Sequence, residues 1–145
     1  MLIEGLKRSE YRGYDSAGVA PLNGNGLETR KAVGKIVMLE SAVDESPIIG
    51  SIGIAHTRWA THGAPNEYNA HPHHDCTNSI AVVHNGIIEN ATALRHELEA
   101  RGHKFRSETD TEVLAHLIEA ASDDGEPLKD AVIDALRLVE GTYGI

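Results

Sequence analysis

"SIAVVHNGIIEN" (residues 79–90) begins with an apolar run, stops at Asn85-Gly86 and continues with two isoleucines and a Glu-Asn pair. After apolar residues, an Asn-Gly pair most often marks a two-residue hairpin loop. The residues that follow have helical spacing, because apolar side chains recur three and four apart in residues 91–98. We therefore predict a buried strand that ends at the Asn-Gly corner and leads directly into a helix. Such a corner is a common place for backbone N–H groups to point at a ligand.

Length and composition describe an ordinary globular domain. The 145 residues are 41% hydrophobic and 24% charged, with a net charge of −9, and this length supports one domain with a core. The negative charge argues against nucleic acid and anionic membranes as partners. No apolar run approaches the ~20 residues of a transmembrane helix, and no segment has the pattern of a signal peptide. Because a single cysteine is typical of a reducing compartment, we predict a cytoplasmic protein that binds neither nucleic acid nor membrane.

Both ends of the chain are typical of a segment of a larger domain. "MLIEGLK" places apolar residues at helical spacing without an N-cap residue before them, and "EGTYGI" stops one step into an apolar segment. We expect residues 1–145 to be part of a larger domain. An ordinary frayed terminus is the alternative.

Turn and helix signals elsewhere predict strands that alternate with helices. "NGNG" at residues 23–26 is a strong hairpin signal between strands in residues 17–22 and 27–33. Pro21 indicates an edge or a bulge in the first of these strands. "TDTE" at residues 109–112 fits a capping box at the start of a helix. A layered α/β or α+β domain follows.

Histidines are concentrated in and around the polar loop of residues 58–78. Six of the nine fall within residues 56–84, and the loop has an adequate set of metal ligands by residue type: His71, His73, His74, Asp75 and Cys76. These residues are too close together in sequence for one ion to use most of them, and no helical H-x-x-x-H or C-x-x-C pair supports a site. Asp75 also opposes a thiolate at Cys76. We predict no metal site, no cofactor and no catalytic role for Cys76.

Other polar residues have the chemistry to hold a small ligand. Arg58 follows a strand and suits either a two-point grip on a carboxylate or a surface ion pair. Asp110 lies in the first turn of a helix, where the helix dipole favours any carboxylate. Asn85 and Gly86 form either a plain turn or a pair of oxyanion-hole donors. A cation, an anion and two neutral donors together suit an amino-acid substrate whose side-chain carbonyl is attacked.

Four segments carry a resemblance to a known family: "LIEGLKRSEYRGYDSAGVA", "GIAHTRWATHGAPNEYNAHPH", "AVVHNGIIEN" and "SETDTEV". They closely resemble the glutaminase domains of the glutamine–fructose-6-phosphate aminotransferase family, which are class II glutamine amidotransferases. The match runs through the chain with the motifs in family order. It implies an α+β fold, an N-terminal-nucleophile hydrolase-like four-layer αββα sandwich with antiparallel sheets. Residues 1–145 would form part of one such amidotransferase domain.

The resemblance also implies an activity. Members of the family hydrolyse glutamine to glutamate and ammonia, and a separate isomerase region uses the ammonia to aminate fructose 6-phosphate, which gives glucosamine 6-phosphate. That isomerase region is absent from residues 1–145. The parent enzyme is expected to be a homodimer without a cofactor.

Carried over by position, the resemblance assigns roles to seven residues. Asn85 and Gly86 would form the oxyanion hole. Arg58 would bind the α-carboxylate of glutamine and Asp110 its α-ammonium group. The other three would lie close to the substrate: Thr61 and His62 in a lid that covers it, and Trp59 beside the path of the ammonia.

The nucleophile that the family implies has no counterpart in this chain. It is an N-terminal cysteine whose own amine acts as the base, whereas residue 1 here is Met and Cys76 matches a non-catalytic position. We therefore predict that this chain alone is inactive. A non-catalytic amino-acid-binding or interaction module that keeps the glutamine site is the alternative.

Overall fold

The computed structural model describes residues 1–9, 11, 13–59, 63–123, 125 and 127–145. The chain divides into two compact units, Met1–Pro72 and His73–Ile145. Within the described residues, no helix combines the length and the apolar character needed to cross a membrane.

The first unit is a four-stranded antiparallel sheet with two helices. Its elements are α1 (Leu2–Lys7), β1 (Ser16–Asn23), β2 (Gly26–Leu27), β3 (Arg30–Val33), α2 (Ile36–Glu45) and β4 (Ile52–Arg58). β1 pairs with each of the other three strands. Its apolar side chains join those of β3 and both helices in one buried cluster: Leu6, Ala17, Val19, Ala32, Ile36 and Leu39.

The predicted hairpin at residues 23–26 is confirmed, since Asn23 pairs with Gly26. Pro21 does not lie in an edge strand, because β1 has neighbours on both sides. Opposite Pro21, however, the pairing changes from β2 to β3, and the N–H of Glu28 donates to the carbonyl of Pro21 at 3.1 Å. Proline cannot donate to a sheet, so the sheet is interrupted at the position where a bulge was predicted.

The second unit is built around one buried helix. Its elements are β5 (His73–His74), β6 (Ala81–Val82), β7 (Asn85–Ile88), α3 (Ala91–Ala100), α4 (Glu112–Asp123), α5 (Leu128–Leu138) and β8 (Gly141–Gly144). β5 pairs with β6, and β7 with β8, both antiparallel. α4 packs between α3 and α5, and the core includes Leu98, Val113, Leu114, Ile118, Ala131 and Ala135.

The predicted Asn85-Gly86 corner is wrong. Both residues lie inside β7, where Asn85 pairs with Gly144 and Gly86 with Tyr143. The preceding strand is also shorter than predicted and covers only Ala81–Val82. The helix does follow, but it begins at residue 91 after β7 has ended.

The two residues of the predicted capping box make other contacts. The Glu112 carboxylate accepts hydrogen bonds from the backbone N–H groups of Arg106 and Ser107, both at 2.7 Å. The Thr109 hydroxyl lies 3.1 Å from Nε2 of His73. The start of α4 is thereby tied to the chain before it and to β5.

Candidate active site

Three candidate residues of the second unit are connected through β7. Asn85 and Gly86 begin this strand, and both residues are exposed. The N–H of Ile88, in the same strand, donates to Oδ2 of Asp110 at 2.9 Å. The strand that carries the two oxyanion candidates therefore also holds the carboxylate predicted to bind an ammonium group.

Gly86 occupies a position that requires glycine. Its φ is +145°, a conformation that residues with a Cβ rarely adopt. An added Cβ would overlap the carbonyl oxygen of Thr142 and lie 2.7 Å from Cα of Tyr143. Close pairing with β8 and the unusual backbone conformation thus both explain the residue type.

His84 is a buried residue that sequence reasoning overlooked, although it directly precedes Asn85. Its ring is 4% exposed, and Nδ1 lies 2.9 Å from the Thr111 hydroxyl. Burial lowers the pKa of His84, while the nearby charge of Asp110 acts in the opposite direction. A neutral imidazole at this position links the start of β7 to the residues that lead into α4.

Arg58 lies in the first unit, at the end of β4. Its side chain is buried, and Nη1 lies 3.8 Å from Oδ1 of Asp15, while Nη2 donates to the carbonyl of Gly63 at 3.4 Å. Of the two interpretations left open by the sequence, burial excludes a surface ion pair, because the residue is only 4% exposed. The two-point grip on a substrate carboxylate stays a prediction.

Trp59, the residue after Arg58, forms part of an exposed aromatic pair. Its ring is 61% exposed and meets the ring of Tyr14 edge to face, with the centroids 5.6 Å apart. Thr61 and His62, the two predicted lid residues, lie outside the described residues.

The loop residues considered as metal ligands make separate structural contacts. The ring of His71 stacks on that of His56 with a centroid distance of 4.2 Å. The Asp75 carboxylate accepts hydrogen bonds from the Thr77 and Ser79 hydroxyls and from the N–H of Ile80. Burial raises the pKa of the Cys76 thiol, and the carboxylates of Glu119 and Asp75 act in the same direction. This environment argues against a reactive thiolate.

Comparison with known proteins places these features in one family. The pattern of the family described as "Glutamine amidotransferase domain" matches residues 56–145. Glutamine–fructose-6-phosphate aminotransferase [isomerizing] of Rhizobium meliloti (strain 1021) is 56% identical over 144 residues, which is 99% of this chain and 23% of that protein. The enzyme of the same name from Escherichia coli (strain K12) is 55% identical over 145 residues, with 99% of this chain and 24% of that protein covered. The chain spans about a quarter of the length of these curated relatives.

Two solved structures have the same fold. Glutamine phosphoribosylpyrophosphate amidotransferase from B. subtilis, complexed with ADP and GMP, superimposes with a TM-score of 0.81 at 33% identity, covering 97% of this chain and 30% of that one. An allosteric regulatory enzyme of purine biosynthesis gives a TM-score of 0.83 at 34% identity, covering 98% and 31%. Together with the antiparallel pairing, these likenesses confirm the predicted α+β, N-terminal-nucleophile hydrolase-like class. The chain belongs to the glutamine amidotransferase domain family.

Proposed function

We propose that this chain is the glutamine-binding part of an amidotransferase that releases ammonia from glutamine for glucosamine 6-phosphate synthesis. The observation that carries the proposal is the arrangement around β7, where the Asn85-Gly86 pair and the Asp110 carboxylate are held by one strand. Identity of 55% or more to two glutamine–fructose-6-phosphate aminotransferases supports the choice of reaction. In the complete enzyme, an isomerase region would pass the ammonia to fructose 6-phosphate, in the cytoplasm and within a homodimer.

The resemblance supports one partner for each charged group of glutamine. Arg58 would bind the α-carboxylate through charge-assisted hydrogen bonds, and Asp110 would bind the α-ammonium group. By the same resemblance, Thr61 and His62 would belong to a lid over the amino acid, and Trp59 would help to seal the ammonia path.

The chemical step is acyl transfer to a thiol. A cysteine thiolate attacks the side-chain amide carbon, and the oxyanion that forms accepts hydrogen bonds from the Asn85 amide and the Gly86 N–H. The N-terminal amine that took the thiol proton passes it to the leaving nitrogen, so collapse of this intermediate releases ammonia and leaves a thioester, which water hydrolyses to glutamate. The thiol would come from an N-terminal cysteine outside residues 1–145, because the environment of Cys76 opposes a thiolate.

Glutamine turnover tests this role of Asn85. The chain of residues 1–145 alone should release no ammonia, whereas the same chain joined to an N-terminal segment that begins with cysteine should hydrolyse glutamine. In that longer chain, Asn85→Ala should lower kcat by roughly 10²–10³, the usual loss when one oxyanion donor is removed. Asn25→Ala, at an exposed hairpin position, is the matched control. Turnover that Asn85→Ala leaves unchanged contradicts the assignment.

A further inference from the structure

Four potential metal ligands converge inside the second unit, away from β7. Cys76 follows β5, His103 follows α3, and His116 and Glu119 lie one turn apart on α4. One ligand atom from each residue lies within 4.8 Å of every other. His116 and Glu119 are buried and the other two are half-buried. Because the residues come from three separate segments, their sequence spacing did not predict this cluster.

The distances between the ligand atoms agree with a tetrahedral site. Sγ of Cys76 lies 3.8 Å from Nδ1 of His103 and 3.6 Å from Nδ1 of His116, and the two nitrogens are 3.3 Å apart. Around a tetrahedral zinc ion with ordinary bond lengths, sulfur and nitrogen ligands would be about 3.6 Å apart and two nitrogens about 3.3 Å apart. Oε2 of Glu119 completes the set at 2.8 and 3.1 Å from the two nitrogens.

The surrounding contacts hold the ligands in place. Oε1 of Glu112 lies 3.7 Å from Nε2 of His116, the ring nitrogen that would face away from an ion bound at Nδ1. This distance is too long for a hydrogen bond, and Nε2 is buried without a hydrogen-bond partner among the described residues, although a carboxylate on this side is the usual outer partner of a metal-binding histidine. Oε1 of Glu119 accepts a hydrogen bond from the Cys76 N–H at 3.1 Å, and Arg106 donates to the Cys76 carbonyl at 3.4 Å. The loop with Cys76 is thus fixed against α4.

Charge also favours a divalent cation in this cluster. The Glu119 carboxylate brings one negative charge to the cluster, with Oε2 2.8 Å from Nδ1 of His103 and 3.1 Å from Nδ1 of His116. A deprotonated Cys76 would add a second negative charge close to the first. One dication neutralises both, whereas a buried thiolate beside a carboxylate is unfavourable without it.

We propose that Cys76, His103, His116 and Glu119 bind one Zn²⁺ in a closed, structural site. A thiolate, two imidazoles and a carboxylate in tetrahedral geometry suit zinc better than magnesium or calcium, which prefer six or more oxygen ligands. All four positions are taken by protein atoms, so the site has no open position for catalysis. The proposed zinc site is separate from the proposed glutaminase function and does not depend on that function.

Metal titration of the untagged, chelator-treated chain tests the site. Zinc should bind at one ion per chain, and binding should raise the midpoint of thermal unfolding, because an ion that binds only the folded state stabilises it. Cys76→Ser and His116→Gln should each weaken binding more than a hundredfold, beyond the 10–100-fold cost of losing an outer partner. His96→Gln, an exposed histidine on α3, should bind zinc as the unaltered chain does.

Cobalt substitution gives a readout that does not depend on folding of the variants. One Co²⁺ per chain should produce a thiolate-to-cobalt charge-transfer band and the intense visible bands of tetrahedral cobalt. Absence of these bands at one equivalent, zinc binding that Cys76→Ser leaves unchanged, or no zinc binding at micromolar concentration would each overturn the proposal. The last result would mean that the four side chains form only a hydrogen-bonded network.

Discussion

Gly86 shows how one residue serves both the backbone and the proposed chemistry. Its φ of +145° and its closeness to Thr142 and Tyr143 exclude a side chain, while its N–H is one of the proposed oxyanion donors. A glycine at this position therefore does not by itself indicate catalysis, because the pairing of β7 with β8 already requires it.

Gly86→Ala should destabilise the second unit. The rare backbone conformation costs about 1–3 kcal/mol for a residue with a Cβ, and the overlap with Thr142 adds to this. Gly144→Ala is a close control, because Gly144 lies in the paired strand and a Cβ there meets nothing within 4 Å. Chemical denaturation should show a loss for Gly86→Ala and little change for Gly144→Ala. Equal effects would show that the strain at Gly86 is not the cause.

His84 should make stability depend on pH. Burial lowers its pKa below the ordinary 6.5, so as the pH falls through 6.5 the unfolded chain takes up a proton that the folded chain does not. The free energy of unfolding should then decrease with falling pH, until the pH is below the folded pKa and the loss is complete. Above pH 6.5 the group contributes no pH dependence.

Denaturation curves recorded at several pH values between about pH 8 and pH 5, a range that spans the ordinary histidine pKa, measure this effect. His84→Gln should reduce the slope of unfolding free energy against pH, whereas the exposed His96→Gln should keep it. An unchanged slope in His84→Gln would show that its imidazole is equally protonated in the folded and unfolded states.

Residue types alone predicted several candidates but not their surroundings. Arg58 after a strand was open to two interpretations, and only its burial separates them. His84 and the Cys76 cluster could not be found from spacing, because their contacts join residues far apart in the chain. Contacts between residues far apart in the chain cannot be predicted from the spacing of neighbouring residues.

At the scale of elements, β7 explains the main error of sequence interpretation. Asn-Gly favours a turn, yet β8 supplies a partner strand that makes residues 85–88 extended. Pairing between distant segments overrides a local turn preference. By contrast, the hairpin at residues 23–26 and the helix that begins near residues 109–112 depend on neighbouring residues, and both were predicted correctly.

Leu114→Ala should measure how much α4 contributes to the second unit. Leu114 is fully buried, and replacing a buried leucine by alanine costs about 2–5 kcal/mol. Leu128→Ala, on α5 with 63% of the side chain exposed, should cost far less. The comparison requires only the free energies of unfolding of the two variants. A small loss at Leu114 would show that the core does not depend on this helix.

Glu112→Gln should loosen the start of α4. Burial raises the pKa of Glu112, but the nearby His116 ring and the hydrogen bonds from Ser107 and Arg106 outweigh it and lower the pKa to about 2. Losing a hydrogen-bonded charge of this kind costs roughly 1.5–3 kcal/mol. Hydrogen exchange at the amides of Arg106 and Ser107 should accelerate in this variant and not in Glu97→Gln, an exposed change on α3. Unchanged exchange rates would show that the Glu112 carboxylate does not stabilise this segment.

At the scale of the whole molecule, the candidates are distributed over both units. Arg58 and Trp59 belong to Met1–Pro72, whereas Asn85, Gly86 and Asp110 belong to His73–Ile145. Each unit has its own buried cluster. The chain covers about a quarter of the length of each of these curated relatives. The complete reaction therefore has to be tested in a longer protein, whereas amino-acid binding can be tested in this chain.

Calorimetric titration of the chain with glutamine tests the central claim, that this chain binds the amino acid, and it tests the roles proposed for Arg58 and for Asp110 one residue at a time. Glutamine should bind, and Arg58→Lys and Asp110→Asn should each weaken binding roughly tenfold or more, the cost of a charge-assisted hydrogen bond. Arg137→Lys and Asp130→Asn, both at exposed positions of α5, should have no effect. An analogue without the α-carboxylate should bind Arg58→Lys as well as the unaltered chain, and one without the α-amine should do the same for Asp110→Asn. Glutamine binding that neither variant weakens would contradict the account.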